Sequence, residues 1–359
     1  MQPRSRLAWI DAARGVCVLA IVLFHFLIWI WQPEVGDGTG PTATVWGFVA
    51  EALGKVRLPL LFTLSGFIVA DRIRAGLSDR RNLLRVANSY WLYVVWLVIF
   101  ALISVIIPAG WPLRVNGLAS FAKQLILPRT ILWFVLALAI WTLVLALLHR
   151  VPPALVLAGL AVVSVLTRVF PFPSGESISL VLYYGFFFGL GVYARSLFRY
   201  ATSSGMWWKA PALLAAYLLV SAARNALPAN PVSGTLTGLA ASTLMAMTAA
   251  SIVALLCLVP HLARWLGAIG QQTLPIYVMQ LPVLWFLIFV RVHTELFASP
   301  IGRAIGPVLG VAFVVAVTLV AHRLLMRTPL RILFGLPERW ADRIVRRPPA
   351  RASVAAPEQ

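Results

Sequence analysis

Three ionisable side chains interrupt one apolar stretch near the start of the sequence: Asp11, Arg14 and His25 in WIDAARGVCVLAIVLFHF. Such a group in a membrane helix costs at least about 2.5 kcal/mol on insertion scales, so each one needs a physical reason. Arg14 and His25 are eleven residues apart. At about 100° and 1.5 Å per residue, that interval leaves them only about 20° out of phase and roughly 16.5 Å apart along the axis. They line one face, and Asp11, one turn before Arg14, can pair with it. An imidazole exchanges a proton near neutral pH and a guanidinium holds an anion, so the stripe suits a long substrate whose two ends meet different groups. A lone histidine on an apolar helix is ordinarily satisfied by a backbone or side-chain partner, and the aligned arginine sets His25 apart. His149, His261, His293 and His322 fall at the ends of apolar runs or between them, where interfacial packing is the expected role.

A second polar stretch is KVRLPLLFTLSGFIVADRIR, in which Lys55 and Arg57 precede Pro59 and Ser65-Gly66 breaks an apolar run. Small residues let helix backbones approach closely, which accounts for Ser65 and Gly66 by packing alone. Gly185 and Gly189 in YYGFFFGLGVYAR have the same spacing and the same explanation. No paired carboxylates fall inside an apolar run, and the sequence has no phosphate-cradling glycine loop and no two-histidine metal spacing, so no metal site is expected.

These residues must be positioned by membrane helices. Of 359 residues, 61% are hydrophobic and 11% charged, far more apolar than a soluble domain, with the charges gathered between long greasy runs. The reading is an all-α polytopic protein with about ten transmembrane helices. The expected spans are residues 8 to 31, 57 to 70, 86 to 107, 130 to 148, 154 to 170, 178 to 194, 211 to 223, 235 to 259, 273 to 290 and 304 to 325. Basic residues concentrate on one side: Arg4, Arg6, the loop from Arg72 to Arg85, Arg150, Arg195, Arg199, Lys209, Arg264 and a tail from Arg323 to Arg351. Short cytoplasmic loops retain positive charge, so both termini are expected in the cytoplasm. Topology thus explains the net charge of +19 better than nucleic-acid binding, and membrane lipids are the expected surroundings.

Residues 1 to 328 are read as one transmembrane domain, because the pieces outside the spans, 32 to 56 and 108 to 129, are too short to fold alone. Residues 329 to 359 form a basic tail, an interfacial helix followed by a disordered Pro/Ala-rich end. The N-terminal apolar run is too long for a signal-peptide core, so it is expected to be retained. Cys17 and Cys257 lie in apolar runs and offer no disulfide framework.

Taken together the chain resembles the acyltransferase-3 family of polytopic bacterial enzymes that acylate cell-surface glycans, antibiotics and lipids, including its fucose O-acetylase-like branch. The resemblance rests on RLAWIDAARGVCVLAIVLFHF, where Arg14, ten intervening residues and His25 match an Arg/Lys-x10-His motif. It rests equally on RLPLLFTLSGF, which matches a Pro-x-x-Phe-x-x-Ser-Gly helix. ILWFVLALAIW resembles the family's Leu-Trp-Phe helix, and LGAIGQQTLPIYVMQLPVL its late Gly-x-x-x-Leu-x-Ile-Tyr segment. Two departures stand out. Gln280 occupies a position where histidine is frequent, and the family's Arg-x-x-Arg pattern is replaced by Arg72, Arg74, Arg81 and Arg85.

The resemblance implies an inner-membrane O-acyltransferase that takes an acyl group, acetyl by family frequency, from cytoplasmic acyl-CoA. The acceptor would be a hydroxyl of a cell-surface glycan, glycolipid or glycosylated metabolite. His25 would be the general base, with Arg14 facing the donor and Asp11 fixing Arg14. Arg72, Arg74, Arg81 and Arg85 would hold the CoA phosphates, and Lys55, Arg57, Ser65 and Tyr277 would bind substrate. The alternative reading is a transporter or flippase exporting a glycan or lipid. Its expected marks, mid-membrane carboxylates or broken helices in paired repeats, are absent from the sequence.

Overall fold

The structure, a computed structural model, describes residues 8–35, 40–170, 177–203, 207–226, 230–291 and 293–345. Among these residues every regular element is helical. α1 (Ala8–Phe26) runs through a π-helical turn at Leu27–Trp31 into α2 (Gln32–Val35), forming one apolar rod. α3 (Pro41–Ile73) and α4 (Arg80–Ile106) are followed by a short α5 (Gly117–Gln124), then α6 (Trp133–Leu147) and α7 (Pro153–Val169). α8 (Ile178–Tyr193) bends by 76° into α9 (Arg195–Ala201). α10 (Lys209–Ala226), α11 (Pro231–Leu256), α12 (Pro260–Gln271), α13 (Thr273–Val290), α14 (His293–Ala298), α15 (Pro300–Leu325) and α16 (Glu338–Val345) complete the order.

Six of these rods are long and apolar enough to cross a membrane: α1 with α2, α3, α4, α11, α13 and α15. The bent α8–α9 pair qualifies as a seventh if taken as one span, and α6 and α7 are shorter apolar helices. Large apolar side chains such as Leu102, Val105, Ile106, Leu219 and Phe289 stand exposed on the outside of the bundle, as a hydrocarbon solvent would favour.

α3 differs most from its sequence expectation. Pro41 sits in its first turn, and the helix continues unbroken to Ile73, so most of the stretch from 32 to 56 is helix rather than loop. Thirty-three residues span about 50 Å, well beyond a hydrocarbon core of about 30 Å, so one end of α3 must project from it. Polar residues such as Thr42, Thr44 and Glu51 mask this periodicity in the sequence.

Two glycine contacts set the packing around the polar stripe. A Cβ on Gly66 of α3 would lie 2.1 Å from the Phe188 carbonyl oxygen of α8, and one on Gly191 of α8 would lie 2.0 Å from that of Thr63. α1 and α12 pair the same way: a Cβ on Gly15 would meet the Leu266 oxygen at 2.3 Å and one on Gly270 the Asp11 oxygen at 1.7 Å. Only glycine permits such backbone approach.

The tail docks on α4. Trp91 Nε1 donates to the Ile332 carbonyl at 2.9 Å and Trp96 Nε1 to that of Leu333 at 2.8 Å, while Trp340 of α16 packs edge-on against Trp91. The disordered end expected after residue 348 lies outside the described residues.

Candidate active site

His25 ends α1 just before the π-helical turn. A π turn rotates the following side chains relative to a regular helix, and here Trp29 comes to stack on the imidazole, centroids 4.6 Å apart and planes 6° from parallel. On another edge His25 Nδ1 lies 3.1 Å from Gln280 Oε1 of α13. Gln280 is fully buried, and its Nε2 donates to the Tyr277 carbonyl at 3.0 Å. Since that end of the amide is the donor, Oε1 is an acceptor, and Nδ1 of His25 must carry the proton. The Nε2 lone pair is left available as a base.

Arg57 of α3 completes this end of the stripe. Its guanidinium lies 3.7 Å over the Phe24 ring, within coulombic reach of His25, and its buried Nη1 has no hydrogen-bond partner among the described residues. The surrounding wall joins the sequence segments that carried the resemblance. Phe62 of the Pro-x-x-Phe helix contacts Trp133 at 5.8 Å and Phe134 at 4.9 Å, and stacks on Tyr184 at 5.3 Å. Phe134 in turn meets the Tyr277 ring at 5.3 Å.

The other expected substrate-binding residues are placed differently. Tyr277 donates its hydroxyl to the Ile131 carbonyl, so it reaches the site through its backbone oxygen, which holds Gln280. Ser65 donates its hydroxyl to the Leu61 carbonyl of its own helix at 2.8 Å and lies about 12 Å beyond Arg57 along α3. Lys55 is exposed and paired with Glu51 at 2.9 Å; about 200° of helix rotation separates it from Arg57.

At the other end of α1, Arg14 lies 3.8 Å from Asp11, whose second oxygen accepts from Gln271 Nε2 of α12 at 3.3 Å. Arg14 and Arg72 both lie within coulombic reach of Arg85, which is half-buried and whose enclosed Nε has no hydrogen-bond partner among the described residues. Three guanidinium groups from α1, α3 and α4 thus converge where repulsion opposes them, an arrangement that an anion would relieve.

Arg81 and Arg74 fall outside this trio. Arg81 forks both oxygens of Asp79 at 2.8 to 3.1 Å, and these hydrogen bonds hold the Asp79 carboxyl below the usual carboxylate range. Arg74 closes α3, and its charge falls on the Tyr193 hydroxyl. Among the described residues no three His, Cys, Asp or Glu side chains converge as metal ligands.

A family model described as an acyltransferase domain matches residues 7–323, nearly the whole chain. The chain belongs to the acyltransferase-3 family. It is therefore an acyl-transferring enzyme of a multi-pass membrane type. No curated protein and no solved structure matches it. In this acyltransferase the sequence points to His25 and Arg14 directly. Gln280 stands out there only as a departure from the family pattern, although a buried amide in the apolar run of α13 is itself the signal of a required partner.

Proposed function

We propose that the enzyme transfers an acyl group, acetyl by default, from cytoplasmic acyl-CoA to a hydroxyl of a glycan, glycolipid or glycosylated metabolite. His25 Nε2 is the general base. The observation that carries this reading is the Gln280 amide, whose own donor bond fixes its oxygen toward Nδ1, so that in the neutral imidazole Nε2 holds the lone pair. Nε2 takes the proton of the acceptor hydroxyl as its oxygen attacks the thioester carbonyl, so that the new C–O bond forms. The C–S bond then breaks, the proton passes from the imidazolium to the departing sulfur, and CoA leaves as the thiol. The unpartnered Arg57 Nη1 is suited to the negative charge that develops on the carbonyl oxygen.

The donor's phosphates would lie at Arg14, Arg72 and Arg85. Its acyl end then has roughly 16.5 Å to reach along α1, which calls for an extended donor. The fucose O-acetylase-like branch, a bacterial inner membrane location, and ten spans with both termini inside belong to the same proposal. The apolar helices α6 and α7 and the bent α8–α9 pair supplement the six long rods and support a count above six, and α10 lies in chain order where the remaining span would fall. Membership of an acyl-transferring family favours transfer over transport.

The test is purified full-length protein with labelled acetyl-CoA and extracted envelope glycans and lipids as acceptors. His25→Ala is expected to lose about 10²- to 10⁴-fold in transfer rate at unchanged membrane levels. Wild-type transfer by that variant would refute the base assignment, and movement of an unmodified glycan across vesicles without acyl-CoA would favour transport.

A further inference from the structure

A cavity of about 860 Å³ opens where the ends of α7 and α10 meet the beginnings of α8 and α11. Its volume falls in the range of small-molecule sites. The room comes from α11, where Gly234 and Gly238, one turn apart, both line the wall; a Cβ on Gly234 would meet nothing within 4 Å. Arg168 of α7 and Arg224 of α10 line it as well, together with Tyr183 of α8 and Ser233 of α11. The point a Gly238 Cβ would occupy is 3.7 Å from Arg224 Nη1 and 4.0 Å from the Tyr183 hydroxyl, and the Arg168 guanidinium lies 5.2 Å from the Tyr183 ring centroid. The two cations therefore converge on one tyrosine.

Neither arginine has a carboxylate partner among the described residues. Three other basic residues at this end of the bundle do have partners: Lys55 pairs with Glu51, Arg291 faces Glu34 at 3.7 Å, and Arg303 Nε donates to the Phe297 carbonyl at 2.7 Å. Charge-based topology does not explain Arg168 and Arg224 either, because they lie at the His25 end, opposite the cluster of Arg14, Arg72 and Arg85. A relay of side chains joins the cavity wall to the reaction centre. Tyr183 contacts Tyr184 at 5.2 Å, Tyr184 stacks on Phe62, and Arg57 lies within coulombic reach of Tyr184 while sitting over Phe24, the neighbour of His25.

We propose that this cavity is an acceptor subsite in which Arg168 and Arg224 hold a phosphate or carboxylate group of the molecule acylated at His25. The acceptor is thereby an anionic glycan, glycolipid or glycosylated metabolite, an assignment of substrate class that rests on the acyl-transfer reading above. Paired guanidinium groups suit a planar carboxylate or a phosphate, and the polar α11 wall leaves space for an attached sugar.

Binding tests the subsite independently of turnover. The full-length protein in detergent is titrated with glucose 1-phosphate, glucuronate and neutral methyl glucoside, with thermal stabilisation as the readout. Nanodiscs of phosphatidylcholine with and without phosphatidylglycerol supply the lipid arm. Wild-type protein should bind at least one anion and not the methyl glucoside. Arg168→Gln/Arg224→Gln should weaken that binding at least about tenfold, the loss expected of a charge-assisted hydrogen bond, whereas Arg323→Gln on α15 should not. Gly238→Leu, which keeps both charges but fills the cavity, should weaken it as well.

Stabilisation only by the soluble anions assigns the site to a soluble acceptor, and stabilisation only by phosphatidylglycerol assigns it to a lipid headgroup. Equal binding of the methyl glucoside, no binding of any anion, or unchanged binding by the double variant overturns the proposal. His25→Ala should keep anion binding while losing transfer. If it transferred normally, the acyl-transfer reading would fall while the anion site stood.

Discussion

The Gln280 amide links two helices that are 255 residues apart in sequence through a single imidazole. With its NH₂ spent on the Tyr277 carbonyl, it can offer His25 only an acceptor, which selects one tautomer of a ring that would otherwise sample two. Gln280→Leu keeps much of the volume but removes the acceptor. Its expected effect is a loss of about tenfold or more in kcat, about 1.4 kcal/mol of barrier, with the KM for acetyl-CoA unchanged. ¹⁵N-histidine NMR separates positioning from mere packing, because the chain holds only five histidines to assign. Wild-type His25 should show a protonated Nδ1, and the variant a mixture. A variant with the wild-type tautomer and wild-type kcat would remove Gln280 from the mechanism.

At the scale of elements, what the sequence revealed and what it hid follow from the range of each signal. The Arg14–His25 stripe was legible because both residues sit on one helix, whose period fixes their phase. The convergence of Arg72 and Arg85 on Arg14 was not, because it depends on how α3 and α4 return to α1, and a basic loop has the same composition wherever its side chains point. Ser65 and Tyr277 were expected at the substrate because they fall in segments that match the family's motifs. In the folded chain their hydroxyls are consumed by backbone carbonyls, as is usual for polar groups inside a helix bundle. The α1–α12 contact was equally invisible, and it yields a paired test. Gly270→Ala would drive a methyl into the Asp11 carbonyl, whereas at Gly267, three residues earlier on α12, a Cβ meets nothing within 4 Å. Gly270→Ala should cost about 1–3 kcal/mol through overpacking and disturb the Gln271–Asp11 hydrogen bond, and Gly267→Ala should be neutral. Thermal unfolding in detergent compares the two. Equal melting temperatures would mean that α12 shifts freely and does not hold the Arg14 end.

On the proposed assignment, the whole molecule separates charge binding from proton transfer by the length of α1, and this separation predicts distinct kinetic signatures at its two ends. Arg85 is half-buried beside Arg14 and Arg72, and its enclosed Nε has no hydrogen-bond partner among the described residues. In the donor-free protein Arg14 and Arg72 repel Arg85, and Asp11 offsets that only at Arg14; a bound polyanion would turn the net repulsion into attraction. Arg85→Gln should therefore do two things at once. It should raise the melting temperature of the donor-free enzyme, and it should raise the KM for acetyl-CoA by about tenfold or more while kcat stays within about twofold. Added salt should weaken donor binding by the wild type more than by the variant, because fewer charge contacts remain to be screened. His25→Ala should show the opposite split, retaining donor binding and losing kcat. A structural arginine would behave differently: its removal would lower the melting temperature and leave the KM where it was. That outcome would move the donor's phosphates away from this cluster and leave the convergence of three cations without a ligand to justify it.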